Sequence, residues 1–209
     1  MEKIKLALGP IQTNCYIIHN DSEILIFDPG DEPEKIINTI LPLEKKVSAV
    51  ILTHTHFDHI GAVDSICEKF NVPVYVADEE KFWLTDTVKN GSEKFKVHGL
   101  DPIIAKTKPN IMPLGKQTIG TFTFDVRFTP GHSPGSQSFI FDNFAIVGDT
   151  LFKESIGRTD LYQGNMQQLL NSIDQQLMTL AEDFVICPGH GGYTTVQHEM
   201  DRNPFLNGY

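Results

Sequence analysis

Positive charge and long apolar runs are both scarce in this chain. Its 209 residues include 17 Lys and Arg against 27 Asp and Glu, which gives a formal net charge of −10. Because nucleic acids and anionic membrane surfaces attract basic proteins, this balance argues against both as partners. No apolar run approaches the roughly 20 residues of a membrane span, so no transmembrane segment is expected.

Cysteine is also scarce, with only Cys15, Cys67 and Cys187. Three widely spaced cysteines do not predict a disulfide framework. The opening residues 1–5, MEKIK, lack the apolar core of a secretory signal. We therefore expect a cytoplasmic protein with reduced thiols, and the length fits a single domain over 1–209.

The densest group of potential metal ligands is the segment THTHFDH at 53–59, directly after the apolar run 47–52. It supplies His54, His56, Asp58 and His59 without an intervening Lys or Arg. Imidazole nitrogen and carboxylate oxygen are ligands that Zn²⁺ and non-haem iron accept. Structural zinc sites favour cysteine in a closed four-ligand shell, so this composition predicts a catalytic metal site.

Three later residues extend this group, because His132, Asp149 and His190 each stand next to a glycine after an apolar or aromatic run. The runs 122–128, 144–147 and 184–187 are typical of short buried strands, whose following polar residues should emerge together at the end of a sheet. The candidate ligands expected to converge are His54, His56, Asp58, His59, His132, Asp149 and His190.

Short strands are predicted at 4–8, 14–19 and 23–27, with turn residues between them that favour an antiparallel arrangement. Helices are predicted at 33–41, 60–70 and 166–180. Strands interleaved with helices indicate an α/β protein in which two sheets lie between helical layers.

The order His-x-His-x-Asp-His, then a separate His, Asp and His, resembles the metallo-β-lactamase-fold superfamily of metallohydrolases. The resemblance extends from NCYI at 14–17 and FDPG at 27–30 to NPFL at 203–206. It implies a four-layer αββα sandwich with two mixed sheets between helical layers. Within the superfamily, GDTLF at 148–152 and GRTDL at 157–161 resemble the short bacterial glyoxalase II-like hydrolases, although persulfide dioxygenases carry a similar Gly-Arg-Thr-Asp segment.

The resemblance also implies roles for the candidate ligands. His54, His56 and His132 would hold one metal ion, Asp58, His59 and His190 a second, and Asp149 would bridge them. Two Zn²⁺ ions are expected, with iron or manganese as alternatives. A metal-bound hydroxide would then attack the activated carbonyl of a thioester, ester or lactone. With one metal ion bound, Asp58 could instead orient or deprotonate the water.

Four further residues are candidates for supporting roles. Asp28 is either a turn residue or a carboxylate that orients a ligating histidine. Arg158 and Asp160 either form a buried ion pair that shapes the site or contact the substrate, and Tyr193 could contribute to substrate binding. Three histidines are expected to have no role: His19, His98 and His198.

The least regular segment, 78–113, is a candidate lid or binding loop. Five of its lysines, at 89, 94, 96, 106 and 108, favour an anionic small-molecule substrate such as an anionic thioester. Residues 191–209 are too few to form the helical domain that grips glutathione in full-length glyoxalase II, so substrate choice would fall partly to this insertion. Two alternatives to hydrolysis stay open: a mono-iron persulfide dioxygenase and a metal-binding protein without turnover. No oligomeric state is predicted.

Overall fold

The computed structural model describes residues 1–98 and 101–206. The chain divides into two compact units, the first comprising Met1–Met112 with Ile119–Thr121, and the second comprising Pro113–Thr118 with Phe122–Tyr209. Gly99, in the predicted insertion, lies outside the described residues, and the single domain over 1–209 stays a prediction. Within the described ranges, no helix has the length and apolar character needed to cross a membrane.

The first unit contains a six-stranded mixed sheet. Its strands follow chain order across the sheet: β1 (Glu2–Leu8), β2 (Thr13–His19), β3 (Glu23–Phe27), β4 (Lys46–Ile51), β5 (Val74–Val76) and β6 (Asn110–Ile111). The first three are antiparallel, as predicted, and β3 to β6 run parallel. β2 and nearly all of β3 are buried, which accounts for their continuous apolar runs.

Three α-helices belong to this unit: α1 (Pro33–Ile40), α2 (Phe57–Ile60) and α3 (Val63–Phe70). α1 begins with Pro33. An N–H at this first position would have no intrahelical acceptor, so proline loses no hydrogen bond there. The helix predicted over 60–70 is confirmed as α3 but begins only at Val63, because the chain breaks between α2 and α3. There Ala62 donates its N–H to the Pro29 carbonyl at 2.9 Å, and a Cβ on Gly61 would collide with the Gly30 carbonyl.

Short 3₁₀ helices account for much of the remaining regular structure in the first unit. They span Leu41–Leu43, Asp78–Glu80, Trp83–Thr85 and Ser92–His98. Three of the four lie in the predicted insertion, which is therefore ordered by local turns over much of its described length.

The second unit contains a six-stranded sheet and a hairpin. Its strands are β7 (Gly115–Ile119), β8 (Phe122–Phe128), β9 (Gln137–Ile140), β10 (Phe144–Gly148), β11 (Leu151–Phe152), β12 (Ser155–Ile156), β13 (Val185–Pro188) and β14 (Thr194–Thr195). The sheet order is β14-β13-β10-β9-β8-β7, and β11 pairs with β12. β10 and β13 are parallel, whereas β8 with β9 and β9 with β10 are antiparallel, so this sheet is also mixed.

Two α-helices complete the second unit: α4 (Met166–Ser172) and α5 (Val196–Arg202). The Asn165 side chain caps α4 by accepting from the Gln168 N–H. The helix predicted over 166–180 is α-helical only to Ser172 and continues as a π-helical turn over Ile173–Leu177. The Met178 N–H reaches back five residues to the Ile173 carbonyl, a hydrogen bond that apolar periodicity does not predict. Two large mixed sheets with helices confirm the predicted fold class.

Candidate metal centre

Two neighbouring parallel strands place Asp28 beside the histidine motif. Phe27, the last residue of β3, pairs with Ile51, the last residue of β4, so both strands end at the same edge of the sheet. Asp28 follows with a left-handed φ of 49°, which aspartate tolerates better than most residues. Its carboxylate accepts the Thr53 N–H at 2.8 Å and the Thr53 hydroxyl at 2.7 Å. Asp28 is therefore a buried anchor for the start of the motif.

The same carboxylate orients His59 directly and His54 through the Thr53 hydroxyl. Asp28 Oδ2 lies 3.0 Å from His59 Nδ1, and a carboxylate can only accept, so Nδ1 carries the proton. Because the Thr53 hydroxyl gives its hydrogen to Asp28, its oxygen accepts from His54 Nδ1 at 3.1 Å. Both rings then carry the coordinating lone pair on Nε2. A carboxylate that orients histidine in this way is typical of metal sites, so these residues fit a bound cation.

Two further contacts hold the motif and were missed by the sequence analysis. Glu80 is fully buried, and its Oε2 accepts both the N–H and the hydroxyl of Thr55, at 2.7 and 2.8 Å. The Thr13 hydroxyl donates to Asp58 Oδ2 at 2.7 Å. Glu80 follows two other acidic residues, and no signal in the sequence separates it from them.

The turn at Gly30 depends on the absence of a side chain. A Cβ at this position would collide with the backbone carbonyl oxygen of Asp58. Glycine therefore lets the turn after β3 pack directly on the motif backbone. The predicted insertion also contacts this backbone, since the Phe57 N–H donates to the Asn90 carbonyl at 3.0 Å.

In the second unit, strand direction brings the other three candidates to one edge. β8, β10 and β13 run in the same direction, and His132, Asp149 and His190 follow their carboxyl ends. Asp149 Oδ2 lies 3.5 Å from His132 Nε2 and 3.4 Å from His190 Nε2. Histidine and carboxylate residues of the metal-binding type thus cluster in the structure.

A backbone carbonyl determines the tautomer of His132. Its Nδ1 lies 2.8 Å from the Arg158 carbonyl oxygen, which can only accept, so the proton sits on Nδ1 and the coordinating lone pair on Nε2. The Arg158 guanidinium instead makes a bidentate pair with Asp160 at 2.7 and 2.6 Å. Both side chains are about two-thirds exposed, so the alternative of a buried ion pair is wrong, and substrate contact stays a prediction. Hydrogen bonding to Asp160 raises the pKa of Arg158.

Tyr193 is partly exposed, and burial of its hydroxyl, with a smaller effect of Cys187, raises its pKa to about 12. It therefore stays a neutral phenol at physiological pH. Among the histidines without an expected role, His19 lies beside Lys45 at 2.9 Å, and His198 beside Glu154 at 2.9 Å. All three cysteines are free thiols with buried side chains.

The lysines of the insertion have acidic neighbours within the same segment. Lys89 pairs with Asp86 at 3.2 Å, and Lys96 pairs with Glu93 at 2.7 Å. These are exposed i,i+3 pairs, which stabilise little and leave little net positive charge. The anionic substrate stays a prediction, but two of the residues that suggested it are locally compensated.

Curated relatives match nearly the whole chain. "Probable metallo-hydrolase YqgX" of Bacillus subtilis (strain 168) is 44% identical over 207 residues, covering 98% of this chain and 97% of the relative. "Hydroxyacylglutathione hydrolase GloC" of Haemophilus influenzae is 34% identical over 209 residues, covering 97% of this chain and 96% of the relative. Both relatives are thus of about the same length as this chain.

Solved structures give the same result. The crystal structure of BLEG-1 B3 metallo-beta-lactamase superposes with a TM-score of 0.94 at 44% identity, covering 99% of this chain and all of that one. A crystal structure of TTHA1623 in a di-iron-bound form gives 0.86 at 32% identity, covering 97% and 100%. The family model of the metallo-beta-lactamase superfamily matches residues 8–190. By its sequence and by its fold, the chain belongs to the metallo-β-lactamase superfamily, in keeping with the short glyoxalase II-like branch.

Proposed function

We propose that this protein is a metal-dependent hydrolase that cleaves an activated carbonyl compound, such as a thioester, ester or lactone. We propose further that the candidate ligands of both units hold two metal ions in one centre, with zinc as the native metal. The observation that carries this proposal is that each unit brings together donors of the ligand sets implied by the family resemblance, His54 with His59 in the first and Asp149 with His132 and His190 in the second.

Each unit brings its own candidate ligands close together. In the first unit the ring centroids of His54 and His56 lie 4.8 Å apart and those of His54 and His59 lie 4.1 Å apart, and in the second unit Asp149 Oδ2 lies within 3.5 Å of His132 Nε2 and His190 Nε2. The ligand sets proposed from the family resemblance are His54, His56 and His132 for one ion, and Asp58, His59 and His190 for the other. Asp149 is the proposed bridging ligand.

The tautomers of three histidines support coordination through Nε2. Asp28, Thr53 and the Arg158 carbonyl occupy Nδ1 of His59, His54 and His132 respectively. A neutral imidazole with its lone pair on Nε2 is the form that binds zinc or iron. The di-iron relative shows that a protein of this fold can also bind iron, so zinc over iron is part of the proposal.

In this proposal the bound ions would polarise the substrate carbonyl and lower the pKa of a coordinated water to roughly 7. The protein's own residues hold that arrangement in place. Asp28 orients His59 through Nδ1 and leaves Nε2 available to the ion, and the Thr13 hydroxyl fixes the position of Asp58 Oδ2. No protein nucleophile is required, which agrees with the complete burial of Cys187 and Ser133.

The name of the Haemophilus relative supports a thioester as the substrate, because hydroxyacylglutathione is a thioester. This observation favours hydrolysis over the persulfide dioxygenase alternative. That alternative is supported only by the similarity of the Gly157–Asp160 segment. We propose an acyl thioester as the substrate class, and the proposal does not specify glutathione as the thiol.

The decisive experiment combines metal analysis of the purified protein with two assays. We expect two zinc ions per chain, hydrolysis of acyl thioesters, and no acylated Cys187 or Ser133 when the reaction is quenched during turnover. One iron per chain with oxygen uptake on a persulfide would replace the proposal with the dioxygenase. Tightly bound metal with neither activity would leave a metal-binding protein without turnover.

A further inference from the structure

A cavity of about 310 Å³ lies in the first unit, next to the histidine motif. Its walls come from the loop between β1 and β2, the turn after β3, the motif itself and the predicted insertion. Asp58 and Thr13, whose side chains are hydrogen bonded to each other, form part of the wall. The cavity therefore begins at Asp58, a proposed metal ligand. When the carbonyl of a substrate lies at the metal centre, a substituent next to that carbonyl would extend into the cavity.

The remaining walls are largely apolar. Leu8, Ile11, Phe57 and Ile103 line the space, and Ile11 is 46% exposed although it is a large aliphatic residue. Exposed aliphatic groups that line a concave surface gain free energy when an apolar ligand removes them from water. The volume is at the small end of the range of ligand pockets, so it suits one substituent rather than a whole glutathione-sized molecule.

The charged groups of the walls are all of one sign. Asp31, Asp58 and Asp101 line the cavity, and none of the lining residues that the structure describes is Lys, Arg or His. Because Asp58 is a proposed metal ligand, its charge would be offset by the bound ion, but a carboxylate placed here would still meet Asp31 and Asp101, with no cationic side chain in the described lining. Lys89 and Lys96, elsewhere in the insertion, are paired with Asp86 and Glu93.

We propose that this cavity is a specificity pocket for an uncharged, apolar substituent of the substrate, and that it excludes anionic substituents. The inference rests on the proposed function, since it places the substituent beside a metal ligand. It narrows the substrate class to esters or thioesters whose acyl group carries a short apolar chain. It is also the opposite of the preference that the lysine content of the insertion suggests.

The test is a series of acyl thioesters of one neutral thiol, N-acetylcysteamine, with the zinc-loaded protein. The acyl groups are acetyl, butanoyl and hexanoyl, together with adipyl, which is hexanoyl with a terminal carboxylate. We expect KM to fall about threefold for each methylene that enters the cavity. Adipyl should have a KM at least about tenfold above that of hexanoyl, because its carboxylate is repelled.

Two variants separate the cavity from general surface effects. Ile11→Trp places a bulky side chain in the cavity and should remove the dependence of KM on chain length. The matched control, Ile104→Trp, changes an aliphatic residue of similar exposure, 41%, that does not line the cavity. The control should retain the chain-length dependence of the parent protein.

Calorimetry distinguishes failure of this inference from failure of the proposed function. The probes are ketone analogues in which a methylene replaces the thioester sulfur, so that their binding requires no hydrolysis. Dissociation constants that fall with chain length and rise with the terminal carboxylate would support the pocket even if no thioester were cleaved. Turnover with no dependence on chain length, or with adipyl preferred over hexanoyl, would overturn the pocket and leave the hydrolase intact.

Discussion

The two groups of candidate ligands are built in different ways. In the first unit His54, His56 and His59 come from one short segment, and none is more than 4% exposed. In the second unit His132, Asp149 and His190 follow three separate strands, and the side chain of His190 is 29% exposed. The first group is preorganised, so its rings lose little conformational freedom when a metal ion binds. The second group includes the ligand most open to solvent.

Support from buried carboxylates follows the same division. Asp28 and Glu80 together accept four hydrogen bonds from Thr53 and Thr55, and Asp28 Oδ2 also lies 3.0 Å from His59 Nδ1. In the second unit, the described support of His132 comes from a backbone carbonyl instead. The comparison predicts that metal binding depends on different features in the two units, and it can be tested by substitution.

The largest effect is expected from Asp149→Ala. Asp149 Oδ2 lies within 3.5 Å of both histidines of its unit, and it is the proposed bridging ligand. We expect near-complete loss of bound metal and a fall in kcat of about a thousandfold or more, since a metal centre contributes several kcal/mol to catalysis. Metal content is measured by atomic emission and kcat with a thioester.

His198→Ala is the control for Asp149→Ala, because His198 lies on α5 and pairs with Glu154. It should leave metal content and kcat close to those of the parent protein. An Asp149→Ala protein with full metal content and normal turnover would remove the bridging role and with it the proposed two-metal centre.

A smaller but substantial effect is expected from Asp28→Asn. The amide would turn an N–H group toward one of the three donors that now meet the carboxylate, so His59 would lose its orienting contact. Loss of such a contact typically weakens metal binding by about 10- to 100-fold. The measurement is metal affinity in competition with a chelator of known strength.

The matched control for Asp28→Asn is Asp21→Asn, an exposed aspartate in the turn before β3. Its metal affinity should equal that of the parent. If Asp28→Asn also bound metal as tightly as the parent, Asp28 would be only a turn residue, and its carboxylate would not contribute to the preorganisation of the first ligand group.

Glu80→Gln should have a weaker effect still. The Gln carbonyl can accept both hydrogen bonds from Thr55, so the substitution removes the negative charge but not the acceptor. Hydrogen bonds to charged groups contribute about 1 kcal/mol more than neutral ones, and we expect a fall of a few degrees in Tm. Glu79→Gln, at the exposed neighbouring position, is the control and should not change Tm; an equal fall in both would remove the bracing role of Glu80.

The smallest effect concerns the thiols of the first unit. Burial and, to a lesser degree, Asp64 raise the pKa of Cys67 from 9.0 to about 12, and burial, with a smaller effect of Asp28, raises the pKa of Cys15 well above its usual value. At neutral pH the thiolate fraction of Cys67 is then about a thousandfold below that of an ordinary cysteine. We expect iodoacetamide to label neither thiol in the folded protein, as measured by mass spectrometry.

The same shift sets the direction of a pH effect on stability. Below pH 9 the Cys67 thiol is neutral in both the folded and the unfolded chain. Between pH 9 and about 12 only the unfolded chain ionises at this position, so the free energy of unfolding falls as the pH rises. Cys67→Ala should flatten that fall. Rapid labelling of Cys67 at neutral pH would show that the first unit opens readily and does not hold its ligands rigidly.

Much of the site could be predicted from the sequence, because ligand chemistry is local. Three histidines and an aspartate within 53–59 have few structural explanations, and the glycines beside His132, Asp149 and His190 mark the ends of strands. The antiparallel start of the chain was equally predictable, since strands and turns alternate there at short range. The second-unit strands also follow their apolar runs, with 122–128 reproduced as β8.

Other features depended on contacts that sequence patterns do not carry. The break between α2 and α3 comes from the Pro29–Gly30 turn, about thirty residues away. The exposed position of the Arg158–Asp160 pair, and the use of the Arg158 carbonyl rather than its guanidinium, could not be inferred from residue types. Five lysines of the insertion suggested a positive charge, and acidic neighbours compensate two of them, Lys89 and Lys96.

The sequence by itself determined the chemistry of the donor atoms and the strand ends from which they emerge, because residue type and apolar periodicity are local properties. The tertiary structure decided which atoms those donors meet. It placed Asp28 and Glu80 behind the motif and an acidic, apolar cavity beside Asp58. Such pairings join residues far apart in the chain, and their free energy depends on distance and burial, which exist only once the sheets have formed.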